Sequence, residues 1–185
     1  MGKHSCQKNK LTSKHITMKL CITTFLLLIF STITIAQKMD KNTFEQRVAA
    51  IEDKMAIKYV VDEFSNLADT KEIDKQVLLF TEDGVVASVS NGQPLTPLKG
   101  REQLKLAFSG FLSNFHTVYH QNGQQTINLE GDKAEAISYC RVILVGKQDG
   151  KEMKTTLYTI YKDSFVKENG KWLIKHRTSN FVHRE

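Results

Sequence analysis

The sequence predicts an α+β domain in which three helices come first and a sheet of long strands follows. Three observations carry this. Apolar residues recur at helical spacing over residues 44–68. From Thr117 onward that period gives way to long extended segments. Those segments are separated by Gly131-Asp132, Asp149-Gly150 and Asn169-Gly170, each a hairpin signal. Helices first and hairpins later is the arrangement in which helices pack on one face of an antiparallel sheet. A chain of 185 residues with 41% apolar side chains suffices for one domain with a real core.

The N-terminus reads as a targeting segment. Lys19 precedes the apolar run Leu20 to Ile35, and small Ala36 stands before Gln37. A basic flank, a short apolar stretch and a small residue at the junction are the secretory pattern, with cleavage after Ala36. The run is shorter than the roughly 20 residues a bilayer span needs, so no stable membrane anchor is expected after cleavage. Cys21 lies inside the run, not behind a lipoprotein box. The mature chain is expected to be secreted or periplasmic. Met18 is an alternative start, so residues 1–36 are read as an N-terminal extension plus signal peptide and residues 37–43 as a linker. The domain then occupies residues 44–185.

This segment also explains the charge. The formal net charge is +6, yet five of the 26 basic side chains fall in residues 1–36 beside no acid. The remainder keeps 21 basic groups against 20 acidic ones, interleaved along the chain. Such a surface has no electrostatic footprint for nucleic acid. Of three cysteines only Cys140 lies beyond the signal, so the mature chain forms no internal disulfide. Within an apolar strand, Cys140 reads as a small hydrophobe.

Within the domain, Phe44, Val48, Ile51 and Met55 and then Ile57, Val60, Val61, Phe64, Leu67 and Ala68 predict one long helix with a single buried stripe. Asp69-Thr70-Lys71-Glu72 has the spacing of a capping box and predicts a second helix burying Ile73, Val77 and Phe80, ended by Asp83-Gly84. Residues 85–89 read as a short strand and 91–97 as a loop. Gly100 precedes a third helix with Leu104, Phe108, Phe111 and Phe115 on one face. Four strands are expected over 117–129, 133–147, 153–167 and 171–182.

The order of these parts resembles the SnoaL-like group of the nuclear-transport-factor-2-like superfamily, from about Ile51 to Phe181. The matching pieces are Leu67 to Glu72, Leu79 to Gly84, Gly100-Arg101-Glu102, His116 to His120, Glu130 to Ala134, Tyr161-Lys162-Asp163 and Gly170 to Ile174. The resemblance implies a cone-shaped, cystatin-like roll, its sheet curling over the helices to enclose a small-molecule cup. It implies, for related dehydratases and isomerases, a His, an acid and one or two Tyr inside that cup. His120 falls where such enzymes often carry the His. A tyrosine expected five residues before Asp69 is replaced here by Phe64. Phe64, Phe108, Phe111 and Tyr161 are the candidate ligand-binding side chains.

An imidazole at His120 can move a proton next to a carbonyl; the plain alternative is an ordinary strand-end histidine. Tyr139 and Arg141 would be its orienting partners if their face of the 133–147 strand lines the cup, and are simply solvated if it does not. Asp69 reads as a helix cap rather than an acid catalyst. His116 and His120 are spaced like metal ligands, but on a strand they stand roughly 13 Å apart, so no metal is expected. Neither is an organic cofactor. No Gly-rich phosphate loop, serine-nucleophile motif or CxxC is present, which argues against nucleotide and acyl-transfer chemistry. Three functions remain: a binding cup for a small, largely apolar molecule; a cofactor-free lyase or isomerase with His120 as base; and a sheet-face association module forming a homodimer. Polar groups converging in a closed cup would favour the second.

Overall fold

The computed structural model describes residues 43–90 and 92–185. The predicted signal segment, its cleavage point and the linker up to residue 42 lie outside the described residues. Two compact units divide the chain after Ala49. In the first, residues 43–49 are helical. The second, Ala50–Glu185, holds the rest of that helix, α1 (43–69), and every later element. Among the described residues no helix is long and apolar enough to cross a membrane.

Helix α1 buries Ile57, Val60, Val61, Phe64, Leu67 and Ala68. These recur every three or four residues and so share one face. The single stripe expected from residue 44 onward does not hold: Ile51 and Met55 are exposed, as is Phe44 in the first unit. At about 100° per residue, Met55 points roughly 200° away from Ile57. The apolar stripe therefore changes face near residue 56.

The segment Asp69-Thr70-Lys71-Glu72 ends α1 instead of starting a new helix. Lys71 takes φ 58°. Its N–H reaches the Ala68 carbonyl at 3.1 Å, while the Glu72 N–H reaches that of Leu67 at 2.8 Å. This pair of bonds is a Schellman termination, and the expected capping box is absent. Helix α2 (Ile73–Gln76) is one turn long, and its N-cap Glu72 makes no side-chain capping bond. A short 3₁₀ turn (Val77–Leu79) follows, and β1 (Phe80–Ser90) begins before Asp83-Gly84, the expected helix stop.

The remaining elements are β2 (Gln93–Pro94), β3 (Leu98–Lys99), α3 (Arg101–Leu112), β4 (Phe115–Glu130), β5 (Lys133–Gln148), β6 (Lys151–Glu168) and β7 (Lys171–Arg184). They form a curved, unclosed sheet in the order β2-β1-β7-β6-β5-β4, with β3 also on β1. The β1–β7 pairing is parallel and all others are antiparallel. The sheet is thus mixed: no hairpin joins β1 to β7, so nothing local dictates their relative direction. The hairpins fall where expected. Asp149 and Gly150 take φ 51° and 76°, and Asn169 and Gly170 take 50° and 76°. Two positive values in succession are the type I′ signature.

Alternation decides which side chains meet the helices. On β5, Ala134, Ala136, Ser138, Cys140, Val142 and Leu144 are buried, while Glu135, Ile137, Tyr139 and Arg141 are exposed. Polar ties fasten helices to the sheet, among them those of Arg101 and Asp53. Arg101 donates from Nε and Nη2 to the Phe80 carbonyl and from Nη1 to Glu82. Asp53 of α1 accepts from Trp172 Nε1 at 2.8 Å and Lys167 Nζ at 2.7 Å. Burial alone would raise the Asp53 carboxyl, but the bonds from Lys167 and then Trp172 outweigh it and hold the group below its ordinary value.

Two predictions follow from this packing. A Cβ on Gly146 would be driven against the Asn114 carbonyl oxygen, with the Phe115 ring 3.2 Å away. Gly146→Ala should destabilise the fold by about 1–3 kcal/mol in urea unfolding, because the obstructing atom is backbone. For Asp53→Asn we expect a loss of about 1–2 kcal/mol at neutral pH. A depressed carboxyl contributes stability above its unfolded value, about 3.9. That contribution fades as pH falls through the folded value, so wild type and variant should converge in acid.

Candidate functional site

The inner faces of β1, β4, β5, β6 and β7, with α1, α2 and α3, surround a cavity of about 320 Å³. Its wall is mostly apolar. Phe64, Phe108, Phe111 and Tyr161 all line it, together with His120. Phe64 meets Phe80, Phe108 and Tyr161 edge-on, with centroids 5.9–6.3 Å apart. This packing makes a stiff aromatic wall.

His120 enters the cavity from β4, opposite Val142 of the buried β5 face. Its side chain is only 7% exposed. Strand β4 is the edge of the sheet, so the His120 N–H has no strand to pair with on that side. The carboxylate of Asp69, in the last turn of α1, takes that donor at 3.0 and 3.1 Å. Asp69 Oδ1 also lies 2.6 Å from His120 Nδ1. Asp69 was expected as a helix cap; it instead anchors the imbalance of donors at a sheet edge and orients the imidazole. A carboxylate only accepts, so Nδ1 carries the proton and Nε2 keeps its lone pair in the neutral ring.

Arg177 and Asp163 form the second polar centre. They are directly opposed on β7 and β6, and both side chains are at most 1% exposed. The contact is bidentate, Nε to Oδ1 at 2.8 Å and Nη2 to Oδ2 at 2.7 Å. The guanidinium also lies against two rings, 4.2 Å from the Phe64 centroid and 4.3 Å from that of Tyr161. Burial works against its charge, but Asp163 holds it protonated above its ordinary value. Arg177 lines the cavity, and its Nη1 has no partner among the described residues. Burial keeps the Tyr161 hydroxyl well above its ordinary range and pushes the Cys140 thiol up to about 11, so both stay neutral.

Tyr139 and Arg141 do not join this group. They lie on the outer face of β5, where Arg141 bonds Gln121. The condition under which they would orient His120 therefore fails, because alternation sends odd-numbered β5 residues away from the helices. That outer face also exposes Tyr119 and Ile137, the surface on which an association module would rely. His116 is exposed and reaches Glu152 and Thr117, apart from His120 and its Asp69. Among the described residues no group of three His, Cys, Asp or Glu could hold a metal ion.

Arg177 was not legible because of a bulge. Counting back from the Asn169-Gly170 turn pairs Asp163 with His176; the register shift between Ser164 and Phe165 moves it to Arg177. The same shift turns Arg177 inward, where plain alternation from Trp172 and Ile174 would have placed His176.

Comparison with known proteins agrees with this architecture. The SnoaL-like domain family matches residues 49–178. No curated protein matches the chain. Among solved structures, a candidate scytalone dehydratase from Novosphingobium aromaticivorans superimposes with TM-score 0.65 at 23% identity, covering 74% of this chain and 88% of its own. An NTF2-like protein of cystatin-like fold from the same organism gives TM-score 0.62 at 20% identity, covering 75% and 88%. A type 2 hexachlorocyclohexane dehydrochlorinase gives 0.64 at 12% identity, covering 74% and 89%. The family match spans most of the chain and the solved structures share its fold, so this protein belongs to the SnoaL-like family of the nuclear-transport-factor-2-like superfamily.

Proposed function

We propose that this protein is a cofactor-free lyase that removes a proton from carbon in a small, largely apolar molecule. The observation that carries the reading is the His120–Asp69 pair at the wall of the apolar cavity. Asp69 fixes the imidazole tautomer and stabilises the imidazolium that forms when Nε2 takes a proton. The electron pair of the broken C–H bond becomes the new carbon–carbon double bond. The bond to the leaving group breaks with its pair staying on that group. The proton on Nε2 then passes to the leaving group or to water.

Negative charge gathers during this step on a carbonyl oxygen or on the departing group. The Arg177 Nη1–H is a donor already in place for it, in a setting that excludes bulk water. Because Asp163 balances Arg177, the cavity favours uncharged substrates. Tyr161, neutral through burial, serves as a donor and not as a base. Phe64 provides no hydroxyl, so assistance to the leaving group falls to Arg177 and Tyr161. Elimination is also the chemistry in the names of two structural relatives, a dehydratase and a dehydrochlorinase. A binding cup alone would not need a buried base oriented by a carboxylate. Isomerisation shares the first step and differs only in where the proton returns.

The test uses cyclic β-hydroxy and β-chloro ketones, beginning with β-hydroxycyclohexanone and following the appearance of cyclohexenone. Wild type should form the enone, and His120→Ala should lower the rate by a factor of about 10²–10⁴ while keeping the far-UV spectrum. Undiminished turnover by His120→Ala, or no turnover of the series by wild type, would overturn the reading.

We further propose that the protein acts outside the cytoplasm after cleavage behind Ala36, a reading supported by Lys19 and the apolar run that follows it. Intact-mass measurement on protein from its host should give a chain beginning at Gln37. Recovery of the uncleaved chain from membranes would contradict export.

A further inference from the structure

Among the described residues, two side-chain atoms of cavity-lining residues are buried without a partner: Arg177 Nη1 and Gln76 Oε1. The first enters the chemistry above. The second does not. Gln76 closes the single turn of α2 and is 1% exposed. A glutamine so deeply buried is uncommon unless its amide is used.

The amide has one fixed orientation. Its Nε2 donates to the carbonyl oxygen of Phe64 at 3.0 Å. Turned over, it would set Oε1 against that oxygen, two acceptors with no proton between them. Nε2 must therefore face Phe64, and Oε1 is left as an acceptor that no group among the described residues meets. Phe64 is held in turn by its ring contacts with Phe80, Phe108 and Tyr161, so the amide is pinned to a rigid wall.

We infer that Gln76 sets ligand selectivity: Oε1 accepts a hydrogen bond from a hydroxyl or N–H of the molecule in the cavity. The inference rests on the reading above in that it takes this cavity as the substrate site, and it narrows the substrate class. The substrate carries a donor for Gln76 and an acceptor for Arg177 on an otherwise apolar frame that fits about 320 Å³. It is uncharged, since a carboxylate would face the lone pairs of Oε1 and an arginine already neutralised by Asp163. A wall acceptor left unmet by an ether or hydrocarbon disfavours that ligand, which makes a single polar group an effective filter.

The test is equilibrium binding of β-naphthol and β-naphthyl methyl ether, which share one aromatic frame, differ by the methyl that replaces the hydroxyl proton, and cannot undergo elimination. Wild type should prefer the naphthol by roughly three- to tenfold, the range one hydrogen bond supplies. His120 Nε2 is also an acceptor, so the preference is measured in two variants. It should persist in His120→Phe and vanish in Gln76→Met. Equal affinities in wild type, loss of the preference in His120→Phe, or its survival in Gln76→Met would each overturn the assignment. The His120→Phe arm can still overturn the assignment if Gln76→Met does not fold. Neither ligand reports on proton abstraction, so a failure of the lyase reading shows in the enone assay alone.

Discussion

The buried pair between Arg177 and Asp163 is the interaction around which the interior is arranged. Removing two charges from water is expensive, and their mutual attraction repays this only with good geometry and further contacts. Here the contact is bidentate and the rings of Phe64 and Tyr161 lie against the guanidinium, while its Nη1 is left without a partner among the described residues. The Phe64 ring in turn meets those of Phe80 and Phe108. Loss of either charge would strand the other in an apolar setting at a cost of about 3–5 kcal/mol. One cross-strand pair thus joins β6 to β7, packs against the aromatic wall and leaves one buried N–H unpaired among the described residues.

The His120–Asp69 pair has a different origin. It arises where an exposed strand edge meets the end of a helix. Edge strands present unpaired N–H groups that must be covered. Asp69 covers one of them and, in doing so, fixes the ring of the same residue. Positioning and structural satisfaction are therefore achieved by one carboxylate. The two polar centres share the cavity wall but draw on separate parts of the fold, one on a strand pair and the other on a helix terminus.

What could be read from the sequence follows from which features are local. Hairpins marked by Asn169-Gly170 and Asp149-Gly150, the four long strands and the alternation of β5 depend on turn chemistry and period two, both visible in a single chain. His120, Phe64, Phe108, Phe111 and Tyr161 were legible as candidate cavity residues through the family resemblance. The parallel partner of β1 was not, since it is joined to β7 only through the whole intervening chain. Arg177 was hidden by a bulge, Gln76 by an expected helix longer than the one that forms, and Asp69 by a motif that serves helix starts and helix ends alike. The stripe through Ile51 and Met55 misled because apolar spacing alone does not say which face meets a sheet.

A second bulge has an evolutionary consequence. On β4 the register shifts between Asn122 and Gln125. Before it, Val118, His120 and Asn122 turn toward the helices; after it, Gln125, Ile127 and Leu129 do. Asn122 is fastened there to Asp62 and Ser65 of α1. The half of the strand that carries His120 is thereby insulated from the hairpin half. Insertions or deletions near Gly131 can be absorbed beyond the bulge without re-aiming His120, so the tip of this hairpin is free to drift in length and sequence while the cavity keeps its imidazole.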